Sequence, residues 1–336
     1  MARAMNHLAF TQRMGLRCPV LCAAAGGPFT IELAVAVCEA GGMGGIGVTR
    51  WPDAVADDTV RAICRGTRGP FAVGLILALL APDSCKLARV LEAGAPIIQF
   101  SWGTPSTAQV ALIRSFGAKL AMQVTSAGGA RQAVDLGVDY MVCQGQEAGG
   151  HVQAQSSWRD TLAPVLEVAG DVPVVLAGGL GDGKDLREAL DLGAAGGVFG
   201  TRFVATRESR AIPEWKERLT TARAADTALT VCFDDGWPQA LHRVLRNDTL
   251  DRWEAGGCAP KGQRPGEGDI VAYDGERPIL RYEATSPIVG MRGEPAETSL
   301  WAGVGVDAIK DIPSAGELVA RIWAECAIQQ GDTACC

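Results

Sequence analysis

Up to residue 203, short runs of apolar residues alternate with longer stretches in which apolar residues recur every three or four positions. The short runs predict eight β-strands, at 19–24, 44–48, 71–77, 96–102, 118–124, 140–145, 173–179 and 197–203. Each run is nearly continuous in hydrophobicity, which is typical of parallel strands covered on both faces.

The longer stretches predict helices between these strands, at 31–40, 53–64, 83–93, 106–116, 127–136, 161–169 and 183–192. A glycine that can cap the helix C-terminus follows several of them: Gly41, Gly94, Gly117, Gly137 and Gly193. The repeated order of strand, helix and capping glycine predicts an α/β protein, a TIM (β/α)8 barrel. A doubly wound sheet would need fewer strands or a reversal of their order, and the sequence leaves that alternative open.

After the eighth predicted strand the repeat breaks. Residues 211–310 are richer in Trp, Pro, Arg and turn signals, and they predict a mostly helical inserted domain that contains a helix over 238–245. A last amphipathic helix over 313–330 starts with Ser314 and Glu317 at capping-box spacing. We therefore expect a barrel domain of residues 1–210 and 311–336, with 211–310 inserted as a substrate-covering domain.

Composition narrows the classes of function. The chain is 48% hydrophobic, so it can bury a large core, and its net charge of −7 without a long basic run argues against nucleic acid as the main partner. No secretory signal starts the chain, and the longest apolar run is too short to cross a membrane, so we expect a soluble cytoplasmic protein. Only three histidines and no CxxC pair are present, so we expect no metal site.

Glycines near strand ends are the first candidates for ligand binding. The sequence at 42–47 matches GxGxxG, but it follows a helix and starts a strand, the reverse of a dinucleotide-binding loop, so we interpret it as a structural turn. Gly178 and Gly179 end the seventh predicted strand, and Gly200 and Thr201 lie in the eighth. Barrels often bind phosphate at these two places through exposed backbone N–H groups.

The residues 144–151, QGQEAGGH, follow the sixth predicted strand and form the most informative local feature. Its glycines allow a backbone loop to lie close to a ligand, and His151 follows them at the catalytic end of a barrel. We therefore expect a functional role for His151. His7 and His242 have no such context and are interpreted as structural, although His242 could face the pocket.

QGQEAGGH, together with PVVLAGGLGDG at 173–183 and GGVFGTRF at 196–203, resembles the FMN-dependent nitronate monooxygenases, formerly called 2-nitropropane dioxygenases. Flavin-dependent enoyl-acyl-carrier-protein reductases share that architecture. The resemblance implies FMN at the barrel mouth, with its phosphate held by Gly178, Gly179, Gly200 and Thr201, and with His151 as the catalytic residue. Other cofactor-binding positions that it implies are Ala23, Ala24, Gln123, Gly145, Gly149 and Gly150.

The chain departs from this family after the first strand, in the third strand, and over 152–158, which lacks the usual Gly-containing continuation. Relatives commonly carry a Pro-Met pair after the first strand, where this chain has Ala23-Ala24-Ala25, and an Asn in the third strand, where it has Gly74. We expect these changes to affect substrate identity more than FMN binding.

The implied activity is oxidation of nitronates or nitroalkanes by O2 to carbonyl compounds and nitrite. His151 would hold the nitronate oxygens or remove the α-proton of a neutral nitroalkane. The alternative is an NAD(P)H-dependent FMN reductase acting on a quinone or an enoyl thioester, and a non-catalytic flavin-binding protein is a third hypothesis. The partners expected are small molecules, without nucleic acid or membrane, and a homodimer is left open.

Overall fold

The computed structural model describes residues 6–81 and 84–328, and its centre is a closed barrel of eight parallel strands. These strands are β1 (Val20–Cys22), β2 (Gly44–Gly47), β3 (Phe71–Ile76), β4 (Ile97–Ser101), β5 (Lys119–Val124), β6 (Tyr140–Gln144), β8 (Val174–Ala177) and β9 (Gly196–Phe199). Their order is β1-β9-β8-β6-β5-β4-β3-β2, and a parallel bridge between Leu21 and Met43 joins the two ends. The predicted TIM barrel is confirmed.

Helices between the strands form the outer layer of the barrel. They are α2 (Ile31–Glu39), α3 (Asp53–Gly66), α4 (Lys86–Glu92), α5 (Thr107–Ser115), α6 (Ala127–Asp135), α7 (Trp158–Ala169) and α8 (Gly183–Asp191). The capping glycines Gly41, Gly94, Gly117, Gly137 and Gly193 all have positive φ, as a helix-ending residue requires. The last helix, α12 (Ala315–Ile328), starts with the predicted capping box, in which Ser314 and Glu317 exchange hydrogen bonds. Residues 329–330 of that predicted helix lie outside the described part.

An additional N-terminal helix, α1 (Asn6–Met14), closes one end of the barrel. Its Phe10 is fully buried among barrel-interior side chains, with its ring 5.6 Å from that of Tyr140. The sequence pattern did not predict this helix. Because α1 fills the end where the strands begin, only the carboxyl ends of the strands remain open for a ligand.

Two sequence-based predictions are wrong after β9. The eighth predicted strand ends at Phe199, and the next residues form one helical turn, α9 (Thr201–Val204). The predicted helix over 238–245 is instead the strand β11 (His242–Leu245). This strand pairs with β10 (Thr227–Thr230) on one side and with β7 (Gly150–His151) on the other. These partners are distant in sequence, so local pattern alone could not reveal the strand.

The segment 211–310 is therefore mixed rather than mostly helical. Its two longer helices are α10 (Pro213–Thr221) and α11 (Asp248–Ala255). A second antiparallel sheet contains β12 (Ile270–Asp274), β13 (Arg277–Leu280) and β14 (Arg292–Gly293). No helix in the described ranges is both long and apolar enough to cross a membrane.

Candidate active site

A cavity of about 1120 Å³ lies at the carboxyl ends of the barrel strands. All eight strands or the residues just after them reach it, through Ala23 and Ala24, Gly47, Gly74, Gln99, Gln123, Gln144, Ala177 and Val198. Residues from 274–291 and Trp301 line its outer side. This volume exceeds the roughly 300–1,000 Å³ of a single small-molecule pocket, so a cofactor and a substrate can share it.

Free backbone N–H groups mark one side of this cavity. Gly178 and Gly179, after β8, have φ of +127° and +75°, which favour glycine. No acceptor among the described residues bonds the N–H groups of Gly178, Gly179 or Gly200. Unpaired N–H groups at a cavity wall suit an anionic oxygen such as that of a phosphate.

Gly200 and Thr201 complete this side of the cavity. A Cβ added at Gly200 would meet only the Cβ of Ala23, at 3.8 Å, so the space beside Gly200 is open. The Thr201 hydroxyl accepts a hydrogen bond from the N–H of Gly303 at 2.9 Å. Thr201 thus ties the end of β9 to the segment that precedes α12.

The loop after β6 is packed tightly onto that same segment. The N–H of Val304 donates to the carbonyl of Glu147 at 3.0 Å, and a Cβ on Gly149 would lie 2.4 Å from the nitrogen of Gly303. Gly149 and Gly150 line the cavity, but Gly145 does not. A Cβ on Gly145 would collide with Trp158 and the Glu147 carboxylate, so a glycine is needed here for packing, and its contact with the cofactor stays a prediction.

Three glutamines hold the loop over the cavity. Gln123 donates to the side-chain oxygen of Gln153 at 3.0 Å, and the N–H of Gln153 donates to the side chain of Gln144 at 2.8 Å. The amide of Gln144 donates in turn to the carbonyl of His151 at 3.3 Å. Gln123 is thus at the cavity as predicted. Gln153 was missed because no spacing or motif distinguishes it in the sequence.

Two of the places where this chain departs from the family, 23–25 and Gly74, lie in contact with each other. A Cβ on Gly74 would lie 2.1 Å from the carbonyl oxygen of Ala24, and one on Gly47 would lie 2.7 Å from the backbone of Ala25. The Ala23–Ala25 segment therefore fills the room that side chains on β2 and β3 would need. This contact also accounts for the glycines at the end of the GxGxxG match, as the structural interpretation expected.

His151 lies on β7 with its ring surrounded by aromatic side chains. Its ring centroid is 4.5 Å from Trp237 in a stacked arrangement at 28°, and 5.1 Å from Trp301. The Nε2 atom is buried and has no hydrogen-bond partner among the described residues. Burial lowers the pKa of His151 to about 3, and the nearby His242 and Arg50 act in the same direction. The imidazole is therefore neutral at pH 7.

His242 pairs with His151 across the two strands but has a structural role. Its Nδ1 lies 2.8 Å from the carbonyl of Ala240, and its Nε2 accepts from the N–H of Phe233 at 3.1 Å. This pattern requires the neutral ring with its proton on Nδ1. Burial lowers the pKa of His242 to about 4.

Acidification should destabilise the protein through these two histidines. Their folded-state pKa values lie below 6.5, so the unfolded chain binds more protons than the folded chain between pH 6.5 and about 4. The free energy of unfolding then has its full value above pH 6.5. Below pH 6.5 it decreases by about 1.4 kcal/mol per pH unit for each histidine. Urea unfolding from pH 7 to pH 5 measures this slope. The variant His151→Phe, with one titrating group fewer, should give a shallower slope, and equal slopes would contradict the assigned shift.

Three arginines line the cavity. Arg277 pairs with Glu283 at 2.6 Å, and Arg210 donates to the carbonyl of Gly27 at 2.8 Å. Arg50 donates to a neutral acceptor, the carbonyl of Gly236, at 3.2 Å. Asp235, Asp274 and Glu283 line the same cavity, so Arg50 and Arg210, which bond to carbonyls rather than to carboxylates, are the arginines left to meet an anionic ligand.

The comparisons with known proteins agree with this architecture. Residues 78–325 match the family model described as nitronate monooxygenase. The chain is 30% identical to a nitronate monooxygenase of Pseudomonas aeruginosa, over 91% of this chain and 95% of that protein. The nitroalkane oxidase structure from Streptomyces ansochromogenes has a TM-score of 0.76 at 27% identity and covers 96% of this chain and 99% of its own. A FabK variant from Thermotoga maritima has a TM-score of 0.74 at 25% identity, covering 96% and 97%.

Proposed function

The chain belongs to the nitronate monooxygenase family, a family of flavin-dependent oxidoreductases, and from this premise we propose that it oxidises nitronates with FMN and O2. The products would be a carbonyl compound and nitrite, and neutral nitroalkanes would react after loss of their α-proton. The observation that carries the proposal is the placement of His151 and unpaired backbone N–H groups on one cavity at the catalytic end of the barrel.

The residues present fit FMN. The N–H groups of Gly178, Gly179 and Gly200, with Thr201 beside them, would hold the phosphate, because they have no acceptor among the described residues and these residues line the cavity. Ala23, Ala24, Gln123, Gly149 and Gly150 would line the remainder of the cofactor. The only GxGxxG match starts a strand and is packed against 23–26, so it supplies no place for the adenylate half of FAD.

The side chains of this protein would bind the substrate and move its proton. Bound flavin supplies the redox chemistry by accepting electrons from the substrate. The neutral Nε2 of His151 can accept the α-proton of a nitroalkane or approach the nitronate. Because its pKa is about 3, His151 does not carry a positive charge at pH 7 and cannot form an ion pair with a nitronate. The arginines around the cavity would balance the anion instead.

We further propose that residues 211–310 cover the substrate. Trp237 and Trp301 from this segment surround His151 and limit the access of water to it. A dry site strengthens the electrostatic interactions between the arginines and an anion.

Anaerobic mixing followed by admission of O2 tests the function. The purified protein should bleach its flavin absorbance when ethylnitronate is added, and it should release nitrite with recovery of the colour once O2 is admitted. Slow or absent bleaching by NADH and NADPH is expected. Rapid bleaching by a pyridine nucleotide, with none by the nitronate, would support the reductase alternative, which the likeness to FabK favours.

A further inference from the structure

The loop between Phe233 and Ala240 places one aromatic ring over His151. The Trp237 indole is stacked on His151 at 4.5 Å and lies 4.6 Å from the ring of Trp102. No ring contact joins Trp102 to His151 within the described residues, so the indole separates them. A flat side chain of this protein thus occupies the space between two aromatic groups of the cavity wall.

The Trp237 indole covers His151, whose Nε2 atom a substrate must reach. Nε2 of His151 is buried without a partner although the ring lies at a large cavity. A buried polar atom without a hydrogen bond is costly, and such atoms recur where a ligand completes the site. The indole contributes to this burial because it lies on the face of the imidazole.

The loop is anchored at its base and exposed at its tip. At the base, Asp234 pairs with the buried Arg264 at 2.6 Å. At the tip, Gly236 is exposed and is held across the cavity by Arg50 through its carbonyl. Gln239, also exposed, has a φ of +56°, which costs energy for a residue other than glycine. Within the turn, the N–H groups of Trp237 and Gln239 donate to the carbonyl and the carboxylate of Asp234, each at 3.0 Å, so displacement of the indole requires rotation of its side chain or loss of these bonds.

We propose that Trp237 occupies the subsite for a flat, unsaturated part of the substrate, and that binding of this part displaces the indole and uncovers His151. This inference rests on the proposed function for the role of His151 and adds a substrate class, nitronates that carry an aryl or conjugated substituent. Such a group would stack on His151, as the indole does in the free protein, with Trp102 in a tilted contact on its other side.

Acylation of histidine by diethylpyrocarbonate, located by peptide mass spectrometry, measures the accessibility of each imidazole in the protein as purified. In the wild-type protein His151 should react much more slowly than His7 on the surface helix α1, and His242 should stay unmodified because both its ring nitrogens are bonded. Trp237→Ala should increase the rate at His151 at least about tenfold, whereas Trp237→Phe, which keeps a stacked ring, should stay near wild type. Equal rates at His151 in the wild type and in Trp237→Ala would overturn the proposal.

Trp237 lies outside the buried core clusters, so its truncation should leave the fold intact. Arg50→Ala gives an independent test, since it releases the loop tip without changing any aromatic ring, and it should also accelerate the modification of His151. An unchanged rate in this variant would contradict displacement of the tip.

Steady-state kinetics test the substrate class. Trp237→Ala should lower the KM for the nitronate of phenylnitromethane at least about fivefold, because the indole no longer competes with the phenyl group. The KM for ethylnitronate should change less. Equal effects on the two substrates would overturn the assignment of the subsite. If neither nitronate is turned over but acylation follows the expected pattern, the proposed function is contradicted, whereas the proposal that Trp237 covers His151 is supported.

Discussion

Replacing Gly200 with aspartate should give a folded protein that purifies without its flavin. The backbone at Gly200 has a φ of −103°, which other residues can adopt, and an added Cβ meets only Ala23 at 3.8 Å. The new carboxylate would extend toward the place proposed for the phosphate. Opposed like charges cost several kcal/mol, so FMN affinity should fall about 100-fold or more. Flavin absorbance per mole of protein and titration of the apoprotein with FMN measure the loss.

The control is Gly200→Ala, which adds the Cβ without charge and should keep FMN. Gly179→Asp is a poorer test, because Gly179 has a φ of +75° and its added Cβ would lie 2.7 Å from Val304. Its loss of flavin could come from strain alone. Full FMN occupancy in Gly200→Asp would show that the phosphate is bound elsewhere.

Removing the imidazole nitrogen of His151 should abolish most activity on neutral nitroalkanes. His151→Asn and His151→Phe both lack the base. A positioned base contributes about 10²–10⁴-fold when its pKa lies near the working pH, so the loss should lie toward the low end of that range for a group whose pKa is about 3. The loss on pre-formed nitronates should be smaller, because they need no deprotonation. In the wild type the rate on nitronates should show no histidine titration between pH 5 and pH 8, since the pKa of His151 is about 3.

His151→Phe is the matched variant here, because its ring preserves the stacking with Trp237 and Trp301. FMN content, measured in parallel, separates loss of chemistry from loss of cofactor. Small and equal losses on the two kinds of substrate would remove His151 from the catalytic role and leave it as a packing residue.

The sequence predicted the barrel well because its signals are local. Each parallel strand is a nearly continuous apolar run, and several barrel helices are followed by a glycine with positive φ, such as Gly94 or Gly137. It predicted β11 as a helix because the partners of His242, on β10 and β7, are remote in sequence. Which strands pair in a small antiparallel sheet depends on the tertiary fold rather than on local propensity.

The residues that line the cavity and those that pack against them divide in the same way. The glycine-rich loops were found from their position at strand ends, whereas Gln153 and Trp237 carry no signal of their own. Gln153 matters because Gln123 and Gln144 lie beside it in space, and Trp237 matters because its loop returns over the barrel. The low pKa of His151 arises from the same enclosure, which no local pattern describes.

The contact between the Ala24 carbonyl and Gly74 constrains how this protein can evolve. Asparagine at position 74, the residue that relatives commonly carry, would place a Cβ 2.1 Å from that oxygen, so the single substitution should be rejected unless the 23–25 segment moves first. These two departures from the family are therefore interdependent, because a change at 23–25 must come before asparagine can be accommodated at position 74. Asparagine at position 74 should therefore be tolerated only in a chain whose 23–25 segment has already changed.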